Sequence, residues 1–325
     1  MTGEGREQVS AREERLRSDL ERALGRRVRS VRPMPEGHSG FTYRVELDDG
    51  WAVMRVPPPG TRVAGPADIP RQARLMAALH RHGLPVPEVI AMSEEPVVDG
   101  RPFYLVEAVE GERIERIAGA VAHEAIAAAA VEVLRQLQTV PIAESGIGHE
   151  PPTSLGAEIA RWTWLMERAP AELTSRAPAL AERLGERAPV ERPPVLVHGD
   201  FHYGNMLFRG PRVVALLDWE IAQLGQPLLD LACLSVVARA SRSGTEQVPG
   251  GGAVSVPDEL LLRLYGGDEG ELRWYLALTY YKYAAIFGYN LMLHRRGKRP
   301  DPVYEGRTTT IVEFIAEGLR LLDGR

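Results

Sequence analysis

Residues 195–220 constrain this chain more than any other stretch, because short apolar runs there alternate with tight polar loops. Val195-Leu196-Val197 leads into His198-Gly199-Asp200 and, past Phe201-His202-Tyr203-Gly204, into Asn205. Met206–Phe208 and Val213–Leu217 read as two strands of a hairpin turned at Gly210-Pro211, followed by Asp218-Trp219-Glu220. A polar group that follows an apolar strand, or sits in the loop between two, is delivered to one end of a small β-structure. Asp200, Asn205 and Asp218 are so placed. Two carboxylates and an amide oxygen converging there suit Mg²⁺, a hard cation that prefers oxygen.

Asp200 and Asn205 also match the spacing D-x-x-x-x-N of a kinase catalytic loop, in which the Asp accepts a hydroxyl proton and the Asn holds Mg²⁺. Phosphoryl transfer is mostly positioning and charge neutralisation, which these residue types supply.

Around this segment the chain divides by pattern. Residues 10–24 read as a helix with a capping box at Ser10 and Glu13, and Leu16, Leu20 and Leu24 recur at i+4. Val28–Pro33, Phe41–Leu47 and Trp51–Val56 read as strands, the last two joined by a turn at Asp48-Asp49-Gly50. A helix from about Asp68 to His82 and strands Val89–Met92 and Phe103–Glu107 complete an antiparallel sheet with one inserted helix. Past Glu110-Gly111 the pattern turns helical, at 117–138, 155–186, 228–240, 257–265, 270–293 and 306–322. The reading is an α+β fold with an N-terminal lobe over 1–108 and a mostly helical lobe over 109–325.

Composition narrows the functions. Forty-four acidic residues against 39 basic ones leave a net charge of −5, which argues against a general nucleic-acid binder. Lys282 and Lys298 are the only lysines, so before residue 282 any cationic role falls to arginine. A single cysteine, Cys233, excludes a disulfide framework. No run of 18 apolar residues and no N-terminal apolar segment occur, so a cytoplasmic protein away from membranes is expected.

H-G-D-x-x-x-x-N at His198–Asn205 followed by L-L-D-W-E at Leu216–Glu220 resembles the aminoglycoside phosphotransferase and choline kinase superfamily, in particular the kinase-like domains fused to acyl-CoA dehydrogenases. The likeness extends over nearly the whole chain. Glu36–Tyr43 resembles the phosphate loop, Met54–Gly60 the third strand and its turn, Phe103–Gly111 the hinge, and Pro227–Ala232 the segment that buttresses the catalytic loop. The resemblance implies a bilobal protein-kinase-like fold and transfer of phosphate from ATP, with Mg²⁺, to a hydroxyl of a small molecule. It makes Asp200 the catalytic carboxylate and His198 the residue that orients its loop. Asn205 and Asp218 become metal ligands, and Asp230 a structural acceptor for the loop. Gly37, His38, Ser39, Gly40 and Arg55 would meet the phosphates, and backbone near Glu107 and Val109 the adenine. Glu220 receives no firm chemistry.

Two positions depart from the superfamily. Arg55 stands where lysine is usual, and Gln72 stands where the inserted helix carries its glutamate. Arg55 is therefore expected to lack an ion-pair partner, which keeps open a pseudokinase that binds nucleotide without transferring phosphate. His198, Asp200 and His202 also spell H-x-D-x-H, a pattern open to a dinuclear metal hydrolase, though the remaining histidines form no second cluster by spacing. His202 is expected near the acceptor, and Cys233 in the core. Trp274, Tyr280, Tyr281 and Tyr283 are expected to pack the helical core or to line a groove for the acceptor. Antibiotic, sugar, amino-alcohol and nucleoside-type acceptors all fit the motifs. Asp258, Glu259, Asp268, Glu269 and Glu271 are read mainly as helix caps or surface acids.

Overall fold

The computed structural model describes residues 3–34, 41–240 and 253–324. These form two compact units. The first runs through Gly111 and also takes in Pro141–His149 and Val214–Ile221; the second holds the rest.

The first unit is built on a five-stranded antiparallel sheet. Helix α1 (Gly3–Leu24) precedes strands β1 (Val28–Pro33), β2 (Phe41–Leu47) and β3 (Gly50–Val56). Helix α2 (Ile69–Arg81) is inserted before β4 (Val89–Val98) and β5 (Arg101–Glu107), and the strand order is β1-β2-β3-β5-β4. The helix expected from Ser10 thus starts seven residues earlier, at Gly3, so position 10 falls within it. Leu16 and Leu20 are fully buried with Val31, Val45, Met54 and Leu105, so the i+4 leucine stripe of α1 covers one face of the sheet. Helix α2 begins at a cap, the Asp68 side chain accepting from the Arg71 N–H at 3.0 Å, and buries Ala73, Leu75, Met76 and Leu79.

The second unit starts with α3 (Ile114–Ile117), α4 (His123–Thr139), α5 (Leu155–Met166) and α6 (Ala177–Glu186). Strands β6 (Val195–Val197) and β7 (Met206–Arg209) follow, and β8 (Arg212–Leu216) starts in this unit while Val214–Leu216 belong to the first. Strand β9 (Gln223–Gly225), which periodicity does not reveal, pairs antiparallel with β6. Helices α7 (Leu228–Ala240), α8 (Asp258–Tyr265), α9 (Glu269–Arg295) and α10 (Thr308–Leu322) complete it. The 27-residue α9 is apolar nearly all round and forms the axis against which α5, α6, α7 and α10 pack. No helix among the described residues is long and apolar enough to cross a membrane.

Candidate active site

In the second unit the chain leaves β6 into His198-Gly199-Asp200, and the shape of that turn is set by Asp230 in the first turn of α7. One Asp230 oxygen accepts from the His198 N–H at 2.7 Å and the other from the Gly199 N–H at 2.8 Å. Gly199 has φ +84°, a left-handed conformation that glycine takes without a Cβ clash. The Asp200 N–H donates to Nδ1 of the fully buried His198 at 3.1 Å, which places that ring's proton on Nε2. His198 thus shapes the backbone that presents Asp200.

Three side chains then converge on the Asp200 carboxylate. Asn205 Nδ2 donates to Oδ2 at 3.1 Å and to the Asp200 carbonyl at 2.9 Å. His202 Nε2 lies 3.3 Å from Oδ2, while its Nδ1 accepts from the Gly204 N–H at 3.1 Å. The Tyr283 hydroxyl donates to Oδ1 at 2.9 Å. Beneath the loop, Lys282 Nζ donates to the Gly199 carbonyl and lies 3.2 Å from Cys233 Sγ.

Burial opposes ionisation of Asp200, but the His202 ring, Lys282 and His198 outweigh it and hold the carboxyl well below the usual range. The same burial pushes Asp230 up to about 6, even though two backbone N–H groups and Lys282 favour its charge. The Asp200 carboxyl is therefore held as an anion, and Asp230, on α7, acts as an internal acceptor for the loop backbone.

In the first unit, Arg55 on β3 lies opposite Tyr104 on β5 and is 9% exposed. Its two terminal nitrogens reach Asp218 Oδ1 at 3.1 Å and Glu220 Oε2 at 3.0 Å. Burial works against its charge, and Tyr104, Asp218 and Glu220 more than compensate, raising its pKa. Arg55 therefore has charged partners, contrary to the expectation from the sequence. Gln72 does not supply them: its Nε2 donates to the Pro66 carbonyl at 2.9 Å. Asp218 follows β8 with φ +68°, a left-handed conformation that non-glycine residues seldom adopt. The buried Trp219 anchors this turn, its Nε1 donating to the Leu216 carbonyl at 3.1 Å.

Donor chemistry in both units fits Mg²⁺. Asn205 spends its amide protons on Asp200, which makes Oδ1 the atom it can offer a cation, and Asp218 has a carboxylate side chain 42% exposed. By contrast, the two imidazoles of H-x-D-x-H are used on the loop backbone and on Asp200. Among the described residues no group of three or more His, Cys, Asp or Glu side chains is arranged to hold a metal.

Glu107 closes β5, where its N–H donates to the Glu88 carbonyl at 2.9 Å; that donor is already spent, and Val109 lies in the irregular segment that follows. Gly37, His38, Ser39 and Gly40 lie outside the described residues. Four of the five acids near 258–271 are engaged: Asp258 accepts from Ser235 Oγ at 2.6 Å and pairs with Arg239, Asp268 caps α9, Glu269 pairs with Arg273 at 3.0 Å, and Glu271 pairs with Arg192. Tyr280 lines a cavity of about 680 Å³ with Phe314, Arg239 and Glu317.

A model of the phosphotransferase enzyme family matches residues 30–275. The chain belongs to that family. It is 35% identical over 213 residues to mouse acyl-CoA dehydrogenase family member 10, covering 61% of this chain and 20% of that protein. It is 31% identical over 279 residues to human acyl-CoA dehydrogenase family member 11, covering 77% and 34%. The chain thus spans about a third or less of the length of these relatives. Among solved structures, one from Ralstonia eutropha assigned as an aminoglycoside phosphotransferase superposes with TM-score 0.75 at 23% identity, over 96% of this chain and 98% of that one. An aminoglycoside phosphotransferase in ternary complex with AMP-PNP and hygromycin B superposes with TM-score 0.62 at 16% identity, over 95% and 97%. These superpositions establish the kinase-like fold expected from the motifs.

Sequence reasoning names Tyr283 as core or groove packing and Lys282 as a rare lysine, but it ties neither to the Asp200 loop. Tyr283 reads as one more aromatic on an apolar helix, and no spacing rule ties it to a loop 83 residues earlier. Lys282 did carry a signal: a rare lysine in an arginine-rich chain, placed inside an apolar helix.

Proposed function

We propose that this phosphotransferase family member transfers the terminal phosphoryl group of ATP, with Mg²⁺, to a hydroxyl of a small molecule. The observation that carries the reading is the Asp200 carboxylate, oriented by Tyr283, His202 and Asn205 and held in its charged form. A carboxylate so weakly basic does not strip a proton early. It accepts the hydroxyl's hydrogen bond, aims the oxygen lone pair, and takes the proton as the bond to phosphorus forms, which suits a loose transition state. His198 holds the Asp200 backbone in place. Asn205 and Asp218 are the proposed oxygen donors to Mg²⁺, which when bound neutralises phosphate charge. Arg55, with Gly37, His38, Ser39 and Gly40, is assigned to the phosphates. Backbone of the 107–109 segment, through groups other than the Glu107 N–H, is assigned to the adenine.

The acceptor is read as a small hydroxylated metabolite or antibiotic. Asp258, Asp268, Glu269 and Glu271 are spent on caps and pairs, so they give no reason to favour a polycationic acceptor. A cytoplasmic location fits the supply of ATP. The alternative, a nucleotide-binding or ligand-binding protein without transfer, is motivated by the absent Lys–Glu pair; against it, Arg55 has two carboxylate partners of its own.

Mg²⁺-dependent ATP consumption, screened across hydroxylated metabolites and antibiotics, tests the reading. With an acceptor in hand, Asp200→Asn should lower turnover by about 10²–10⁴, the scale of a positioned acid–base group. Near-normal turnover in that variant refutes the assignment.

A further inference from the structure

We infer that Glu220 is the positioning residue for Arg55, doing from the D-W-E segment what a glutamate on the inserted helix does in the usual lysine-bearing arrangement. The inference rests on the proposal that Arg55 meets the nucleotide phosphates.

Arg55 is nearly buried, so the direction of its guanidinium is decided by what it touches. Terminal nitrogens at 3.1 Å from Asp218 and 3.0 Å from Glu220 hold the planar fork at two points. A lysine ammonium, a single point charge, is not fixed in plane in this way. The Glu220 side chain is 22% exposed, shielded enough for the pair to exceed a surface ion pair in strength. On the helix side the Gln72 amide is committed to the Pro66 carbonyl.

The two carboxylates are not equivalent. Asp218 is the more exposed and is a proposed metal donor, so its oxygens have another use. Glu220, with a side chain 22% exposed against 42% for Asp218, is the more shielded of the two partners. The two flank Trp219, whose buried ring and bond to the Leu216 carbonyl pin the segment to the end of β8. The acid that orients Arg55 is thereby held at the end of β8, not on α2.

A double-mutant cycle read by calorimetric titration of Mg·ATP tests this, with a thermal melt of every variant. Arg55→Ala should weaken binding by about 10–100-fold, the scale of a hydrogen bond to a charged group. Glu220→Gln should weaken it by about 3–10-fold, and Glu220→Asp by less. The double variant should bind no worse than Arg55→Ala within about twofold, because Glu220 acts through Arg55. Equal losses from Glu220→Gln in both backgrounds, or no loss in either, overturn the inference while leaving Arg55 on the phosphates. An Arg55→Ala protein that binds Mg·ATP normally overturns the phosphate assignment itself, and the inference with it. Should Arg55→Ala melt below the assay temperature, Arg55→Lys serves in the same cycle, since it keeps the charge but not the two-point grip.

Discussion

The hydroxyl of Tyr283, in the middle of α9, donates to Oδ1 of Asp200 at 2.9 Å. It fixes the carboxylate from the side opposite Asn205 and His202, which both meet Oδ2. A carboxylate held at both oxygens cannot swing about its Cβ–Cγ bond, and the remaining lone pairs face a defined direction.

Removing that hold should cost rate more than binding. Tyr283→Phe keeps the ring, which stacks at 6.2 Å on Phe287, and deletes only the donor. Turnover should fall about 10–100-fold, matching the 1.5–3 kcal/mol of a hydrogen bond to a charged group. The pH profile supplies a second readout. Asp200 works as the anion, so activity is lost as pH falls through its folded pKa. Deleting a donor raises that pKa and should move the acid limb of kcat upward. An unchanged limb together with unchanged turnover would leave Tyr283 as packing only.

Asp230 predicts a pH dependence of stability with the opposite sign to that of most carboxylates. Its folded pKa is pushed from 3.8 up to about 6 by burial. The native state therefore holds a proton that the unfolded chain has released between about pH 4 and 6. The contribution is fully present below the unfolded value and is lost as pH rises through 6. Asp230→Asn does not titrate, and it leaves one of two buried N–H groups without an acceptor at a cost of about 1–3 kcal/mol. Urea denaturation of both proteins should show a stability gap that narrows from pH 4 to 6.5 and then levels. A gap that widens with pH means that the two backbone donors, not burial, control the group.

Lys282 is expected to resist replacement even by arginine. Its ammonium lies 6% exposed among the Gly199 carbonyl, Cys233 Sγ and the ring of Tyr283, 4.7 Å away. Burial works against the charge, but Cys233 and Asp200 outweigh it and raise its pKa. A slender stem with a compact head reaches the carbonyl; a guanidinium overfills the space. Lys282→Arg should cost about 1–3 kcal/mol from overpacking. Lys282→Met should cost about 1.5–3 kcal/mol from the lost charged hydrogen bond. Denaturant midpoints check both, and an arginine variant as stable as the parent would show that the site has room to spare.

Gln72→Glu offers a direct contrast with the usual helix glutamate. Because the Gln72 amide already serves the Pro66 carbonyl and is 1% exposed, a carboxylate there loses its donor bond and is buried without a partner. It should lower stability by about 1–3 kcal/mol and leave the affinity for Mg·ATP no better, as a thermal melt and a titration would record.

By itself the sequence determined the local elements and the ordered motif. Apolar alternation marked β2, the turn at Asp48-Asp49-Gly50 led into β3, the leucine stripe marked α1, and the string from His198 to Glu220 named Asp200, Asn205 and Asp218 as a set. Each of those signals is carried by neighbours a few residues apart, through strand and helix periodicity or loop spacing. The start of α1, the three-residue strand β9 and the real partners of the site were decided only by the tertiary structure. Arg55 finds Glu220 across 165 positions, Asp200 finds Tyr283 across 83, and Gly199 finds Lys282 across 83. Charge and hydrogen bonding act through space, so a glutamate in a D-W-E turn can take over from one on a helix without leaving any mark on local spacing.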